Sequence, residues 1–321
     1  MSKKTYYMEL DTLKGVAIFC VLLCHAIILY PINLHENNIW KNVFEVASGA
    51  HMPLFFLVSG YCFSYKGNYK EFIGKKVFRL IIPYIVFGLV DTLPRQFMAS
   101  FVNRSSSIGD SIKSMLLYGG EYWFLYTLFI TFVIYPIIYC WQKNSTIRMI
   151  VVEAALLIIA ILNIEETIFC LDSIMFYLFF FNTGALLKHF NIDPFKTDKL
   201  ENGHRVMLIA LILFLWIGGT LCFPDLNVVN LIIGIIASIA MVLLTKYKWF
   251  NTIFARIGKY SLQLYLLNGF LLVISRTIIC KLTQIPVLIV MFNMFVTLVC
   301  SYIFIKYFCE RFKIIRVFMG M

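Results

Sequence analysis

The chain has 321 residues, 61% of them hydrophobic and only 14% charged, with a formal net charge of +11. A soluble domain carries about a quarter charged residues, so this composition excludes an ordinary water-soluble fold and points to the membrane class. Excess positive charge would suit a nucleic-acid partner, but in so apolar a chain it more simply reflects the positive-inside bias of membrane proteins, and no nucleic acid is expected.

Apolar runs of about 20 residues, long enough to cross a bilayer, fall at 12–30, 44–65, 77–98, 122–142, 147–164, 168–189, 204–223, 226–245, 259–281 and 285–308. The pattern predicts an all-α fold, a single membrane-embedded domain over 1–321 built as a bundle of about ten transmembrane helices. Lys3 and Lys4 before the first run mimic a signal peptide. No small-residue cleavage site follows, and the run contains Lys14 and His25, so the reading is a retained first helix. The longest polar connections are 99–120, with Gly119 and Gly120, and 190–203, with Asp193 and Pro194. Ten crossings return both termini to one side. With that side cytoplasmic, only Lys41, Arg95, Arg104, Lys113, Arg276 and Lys281 of the 28 lysines and arginines are left outside or in outer helix halves, and the acidic Glu165–Glu166 turn also falls outside. The nine cysteines lie mostly within apolar runs without a CxxC pair, so they read as packing residues, and no metal site is expected.

Ionisable residues inside spans are costly and point to function. The first span carries Asp11, Lys14 and His25. Lys14 and His25 are close to three helical turns apart, on one face, with a rise of roughly 16 Å. Asp11 is one turn before Lys14 and suited to pair with it. Taken singly, Lys14 is an ordinary snorkelling anchor, and a lone buried histidine such as His25 is more often a structural hydrogen-bonding group. The second span brings Glu45, His51, Pro53, Ser59, Gly60 and Tyr61. Running inward, it sets His51 at a depth similar to His25, which suggests a shared cavity, while Ser59 and Gly60 equally suit close helix packing. Lys75, Lys76 and Arg79 open the third span. Such a cluster is usually an orientation signal; its alternative role is to hold phosphates entering from the cytoplasm.

In chain order these segments resemble the bacterial acyltransferase-3 family of integral-membrane acyltransferases. Asp11-Thr-Leu-Lys14-Gly15 leading to His25 is similar to the family's Arg/Lys-x10-His signature. His51-Met-Pro-Leu-Phe-Phe-Leu-Val-Ser59-Gly60-Tyr61 resembles its second-helix motif, and Lys76-Val-Phe-Arg79 stands where the family often has Arg-x-x-Arg. Tyr122-Trp123-Phe124-Leu125 resembles a later aromatic motif. The stretch from Ile257 to Leu267 resembles a late Gly-x-x-Ser-Leu-x-x-Tyr segment, and Glu310-Arg311 also fits. Lys76 keeps the charge of the usual Arg but not its bidentate fork. Many relatives have His where this chain has Asn268, which cannot take a proton, so a catalytic role there is in doubt.

The resemblance implies acyl transfer, commonly acetyl from acetyl-CoA as donor substrate, to hydroxyls of envelope glycans, in a multi-pass protein of the bacterial inner membrane with no permanently bound cofactor. Lys76 and Arg79 are then expected to bind the CoA phosphates, and neutral His25 to act as general base. Lys14 and Asp11 would support it from the same helix, while His51, Ser59, Tyr122 and Trp123 would position the sugar or the thioester. The rival class is a proton-coupled secondary transporter or glycan flippase, with His25 and His51 as relay groups. A membrane scaffold is a third, and it would survive loss of His25.

Overall fold

A backbone that crosses lipid must satisfy its own N–H and C=O groups, which makes the helix the natural form for a chain of long apolar runs. The computed structural model of the protein describes residues 7–28, 32–97, 108–162, 168–195, 202–223 and 227–321, and the regular elements within them are all helical. Lys3, Lys4, Arg104, Glu165, Glu166, Lys196 and Lys199, which entered the charge count, lie outside the described residues.

The helices are α1 (Met8–Ile28), α2 (Asn38–Tyr61), α3 (Tyr69–Lys76), α4 (Ile82–Phe97), α5 (Ile108–Tyr118), α6 (Trp123–Gln142) and α7 (Thr146–Leu162). They continue with α8 (Leu171–His189), α9 (Asn202–Cys222), α10 (Asn227–Leu244), α11 (Lys248–Gly258), α12 (Ser261–Ile279), α13 (Pro286–Phe304) and α14 (Lys313–Phe318). π-helical turns at Val77–Ile81 and Ile305–Cys309 join α3 to α4 and extend α13. Among the described residues eight helical stretches are long and apolar enough to cross a membrane, from Met8–Ile28 to Pro286–Cys309. The protein is therefore a polytopic helical membrane bundle. The described residues of the two remaining expected spans, 77–98 and 147–164, are helical but form shorter stretches. The first is divided between the π-turn and the 16 residues of α4, and the second is the 17-residue α7. Seventeen residues reach about 25 Å, the lower limit for a crossing.

Burial separates the helices by role. α1 is 67% buried over its apolar window, whereas the Gly203–Cys222 stretch is only 17% buried and exposes Met207, Leu211 and Phe214. Exposed apolar surface is favourable against lipid, so α9 is a peripheral helix. α1 is an interior one, and its polar side chains have protein around them.

The chain divides into two compact units. One comprises Met1–Cys24, Asn38–Phe63 and Phe179–Ser261; the other comprises His25–Asn37, Ser64–Leu178 and Leu262–Met321. Helices of the first unit approach each other at glycines. A Cβ on Gly60 would stand 1.9 Å from the Phe181 carbonyl oxygen, and one on Gly184 2.0 Å from that of Leu57. Gly15 meets the Phe254 carbonyl and Gly258 meets that of Asp11 at similar distances. Small residues thus bring the α2–α8 and α1–α11 backbones into direct contact, as membrane helices without a hydrophobic driving force require. In the second unit, Gly119 and Gly120 take φ values of 73° and 54° between α5 and α6. Other residues adopt that left-handed backbone only with strain. The turn delivers Tyr122 and Trp123 at the start of α6.

Candidate active site

The first turns of α1 are anchored within the first unit. Lys14 Nζ lies 2.5 Å from Asp11, an i,i+3 ion pair in which Asp11 is buried and Lys14 partly exposed. The hydroxyl of the adjoining Thr12 bonds the Asn251 side chain, tying this turn to α11. Asp11 and Lys14 therefore act as a pair, held where Gly15 and Gly258 bring the two backbones together.

His51 and Ser59 also belong to the first unit. The His51 Nδ1–H donates to the Ala47 carbonyl one turn back at 2.9 Å, which assigns the proton to Nδ1. Ser59 is half-buried beside Gly60, whose backbone contact with α8 accounts for the small residues of this turn.

His25 belongs to the second unit and meets α12 there. Its Nδ1 is 2.8 Å from Asn268 Oδ1, and Asn268 Nδ2 donates to the Tyr265 carbonyl at 2.6 Å. The second bond determines the first. A carbonyl can only accept, so the Asn268 amide must turn its NH2 towards Tyr265 and its oxygen towards His25. That oxygen in turn needs a donor, so His25 carries a proton on Nδ1, and in the neutral ring the lone pair is left on Nε2. A neutral imidazole held this way is a base aimed through Nε2. Asn268 is buried at 2% exposure, so water does not compete for either bond. Asn268 cannot take a proton, which puts a proton-transfer role in doubt; its place in the structure is that of an orienting group. The sequence signal was available, since an asparagine three residues after Tyr265 is spaced to bond back to that carbonyl.

The aromatic residues after the glycine turn stand against the same helix. The Tyr122 hydroxyl donates to the Leu266 carbonyl at 3.3 Å, and its ring lies 6.0 Å from that of Tyr265. Phe124 packs edge-on to Tyr265 at 5.5 Å. Trp123 instead stacks on Tyr177 at 6.1 Å with the planes inclined by 26°. Glu121 is exposed at the head of this segment. The second unit thus gathers His25, Asn268, Tyr265 and Tyr122 around one stretch of α12.

The basic cluster is also in the second unit, and its members differ. Lys75 Nζ bonds Glu71 at 2.5 Å, and the hydrogen bond and charge of Lys75 hold the Glu71 carboxyl below its usual range. Lys76 Nζ sits 3.6 Å from the centre of the Phe132 ring and 5.3 Å from that of Phe72, a cation–π arrangement. Arg79 is exposed within the first π-turn, and its carbonyl packs against Gly320. Arg79 is the one guanidinium of the cluster, on an exposed residue. Among the described residues, no three His, Cys, Asp or Glu side chains are grouped to hold a metal ion.

The family model described as an acyltransferase domain matches residues 8–306. The nodulation protein NolL of Sinorhizobium fredii (strain NBRC 101917 / NGR234) is 23% identical over 198 residues, covering 58% of this chain and 53% of that protein. NolL of Mesorhizobium japonicum (strain LMG 29417 / CECT 9101 / MAFF 303099) is 24% identical over 143 residues, 43% of this chain and 37% of its own length. The chain spans about half the length, or less, of these curated relatives. No solved structure matches it. The chain belongs to the acyltransferase-3 family.

Proposed function

We propose that this acyltransferase moves an acyl group, acetyl from acetyl-CoA, onto a hydroxyl of a cell-envelope polysaccharide or its lipid-linked precursor. The observation that carries the reading is the His25 imidazole, held through Nδ1 by a buried asparagine so that Nε2 is the basic atom. An acceptor hydroxyl gives its proton to Nε2 as its oxygen attacks the thioester carbonyl. The tetrahedral intermediate collapses with cleavage of the C–S bond, and the proton passes from His25 to the departing CoA sulfur. Nothing is oxidised or reduced, and the imidazole ends neutral.

The donor enters from the cytoplasmic side, where Arg79 meets the CoA phosphates with Lys76 beside it. Both chain termini face the cytoplasm of a bacterial inner membrane, consistent with the distribution of lysine and arginine. Lys14 and Asp11 keep the lower part of α1 in place through their ion pair. Tyr122, Trp123, His51 and Ser59 position the acceptor or the thioester. The family supports acyl transfer.

The test uses the full chain in lipid nanodiscs with radiolabelled acetyl-CoA and an envelope glycan extract. His25→Ala is expected to abolish label transfer in a protein that still folds, with at most a modest fall in its thermal unfolding midpoint. Wild-type transfer by that variant would reject the base assignment. Mass spectrometry of the glycan from cells with and without the protein should show the acetyl increment on the acceptor.

A further inference from the structure

The largest fully buried side chain in the described structure is a cation, Arg276 of α12, with no exposed surface. It lies about two turns beyond Asn268 on the same helix, a rise of roughly 12 Å. Its guanidinium bonds three backbone carbonyls and, among the described residues, no carboxylate. One terminal nitrogen donates to the Ala26 carbonyl. The other donates to Ile32 and, at 3.5 Å, to Ile27, while Nε has no partner.

Two of those carbonyls belong to the residues immediately after His25. They are in the last turn of α1, where helical carbonyls have no intrahelical donor and the helix dipole presents its negative end. Inside a membrane protein water does not reach every such group, so a capping donor is required. A neutral glutamine or serine would supply donors without burying a charge. Arginine is among the costliest residues to place in a span. Its planar fork is what serves several carbonyls from one rigid plane. The charge count had left Arg276 outside as a topological remainder; the structure gives it three bonds at the end of the helix that carries His25.

We propose that Arg276 is a positioning residue for acyl transfer, locking the backbone beside His25 so that the imidazole held by Asn268 points Nε2 in one direction. A hydrogen bond to Nδ1 alone leaves the ring free to follow any movement of the end of α1. The clamp at Ala26 and Ile27 removes that movement, and α12 then holds both the ring and the backbone that bears it. This inference rests on the reading of His25 as the base.

The experiment compares wild type, Arg276→Gln, Arg276→Lys and His25→Ala, each as the full chain in nanodiscs. The readouts are kcat and KM for acetyl-CoA, the thermal midpoint, and 15N NMR of histidine-labelled protein. The His25→Ala spectrum identifies the His25 signal among the five histidines. Displacing a catalytic group by about 1 Å costs on the order of 100-fold, so Arg276→Gln should lower kcat by roughly that factor with KM nearly unchanged. Its His25 signal should lose the single Nδ1–H tautomer, and Arg276→Lys should recover part of both. Wild-type kcat in Arg276→Gln, or a lower kcat with an unaltered His25 signal, would overturn the positioning role. If the glutamine variant does not fold, the lysine variant decides. A folded Arg276→Lys with reduced kcat and a disturbed His25 signal supports the proposal, and one with wild-type kcat refutes it. Full activity in His25→Ala would remove the base assignment beneath it, whereas an inactive His25→Ala beside a fully active Arg276→Gln would sink this inference alone.

Discussion

Replacing Asn268 by leucine removes the side-chain amide while keeping its branched shape and leaves His25 Nδ1 without its partner at 2.8 Å. In the resting state the bond joins two neutral groups and contributes about 0.5–1.5 kcal/mol net. In the transition state His25 gains a proton, the donor becomes imidazolium, and the same bond strengthens to about 1.5–3 kcal/mol. The strengthening comes with the chemical step, so the loss should appear in kcat. Only the gain over the resting state counts in kcat, about 1–1.5 kcal/mol, or about 5- to 13-fold. The substitution also leaves the Tyr265 carbonyl without the Asn268 amide, which should lower the thermal midpoint modestly. Release of CoA thiol from acetyl-CoA, followed with a chromogenic disulfide at saturating acceptor, measures kcat directly. A kcat within twofold of wild type in folded Asn268→Leu would refute the orienting role and with it the assignment of Nε2 as the reactive atom. Asn268→Gln keeps the amide but displaces it by one methylene, so its kcat should fall below wild type as well.

Gly60→Ala should lower the thermal midpoint and the yield of extracted protein, because its new Cβ would stand 1.9 Å from the Phe181 carbonyl and force α2 and α8 apart. Overpacking of this kind costs about 1–3 kcal/mol. Gly218→Ala is the control, having nothing within 4 Å of the added methyl; equal effects of the two substitutions would contradict the close-crossing argument. In the basic cluster, Arg79→Ala is expected to raise KM for acetyl-CoA about tenfold, the loss of roughly one charge-assisted hydrogen bond. Lys75→Ala, whose ammonium already serves Glu71, should leave KM nearly unchanged. An unaltered KM in Arg79→Ala, read by initial rates over a range of acetyl-CoA concentrations, would remove the phosphate role.

Local spacing made some of the site legible. The Asp11–Lys14 pair follows from residues one turn apart on a helix, a geometry independent of the rest of the fold. Long-range partners were a different matter. Asn268 is 243 residues from His25, and periodicity assigns each to a face of its own helix without saying which helix that face meets. Lys76 entered as a phosphate-binding candidate because charge is visible in a sequence, while the Phe132 ring beneath it is visible only once α6 is packed beside it. Arg276 was counted as a topological charge for the same reason.

The amino-acid order alone determined that this protein lives in a membrane, that its spans are helical, and which residues are too polar to be there without purpose. Those properties come from transfer free energies and backbone hydrogen bonding, which act residue by residue. Tertiary structure decided which polar groups meet: that Asn268 orients His25, that glycine pairs bring backbones together, and that a buried arginine closes the end of α1. Such pairings depend on how helices rotate and cross, and many crossings are compatible with one apolar pattern. Only the packed chain selects among them.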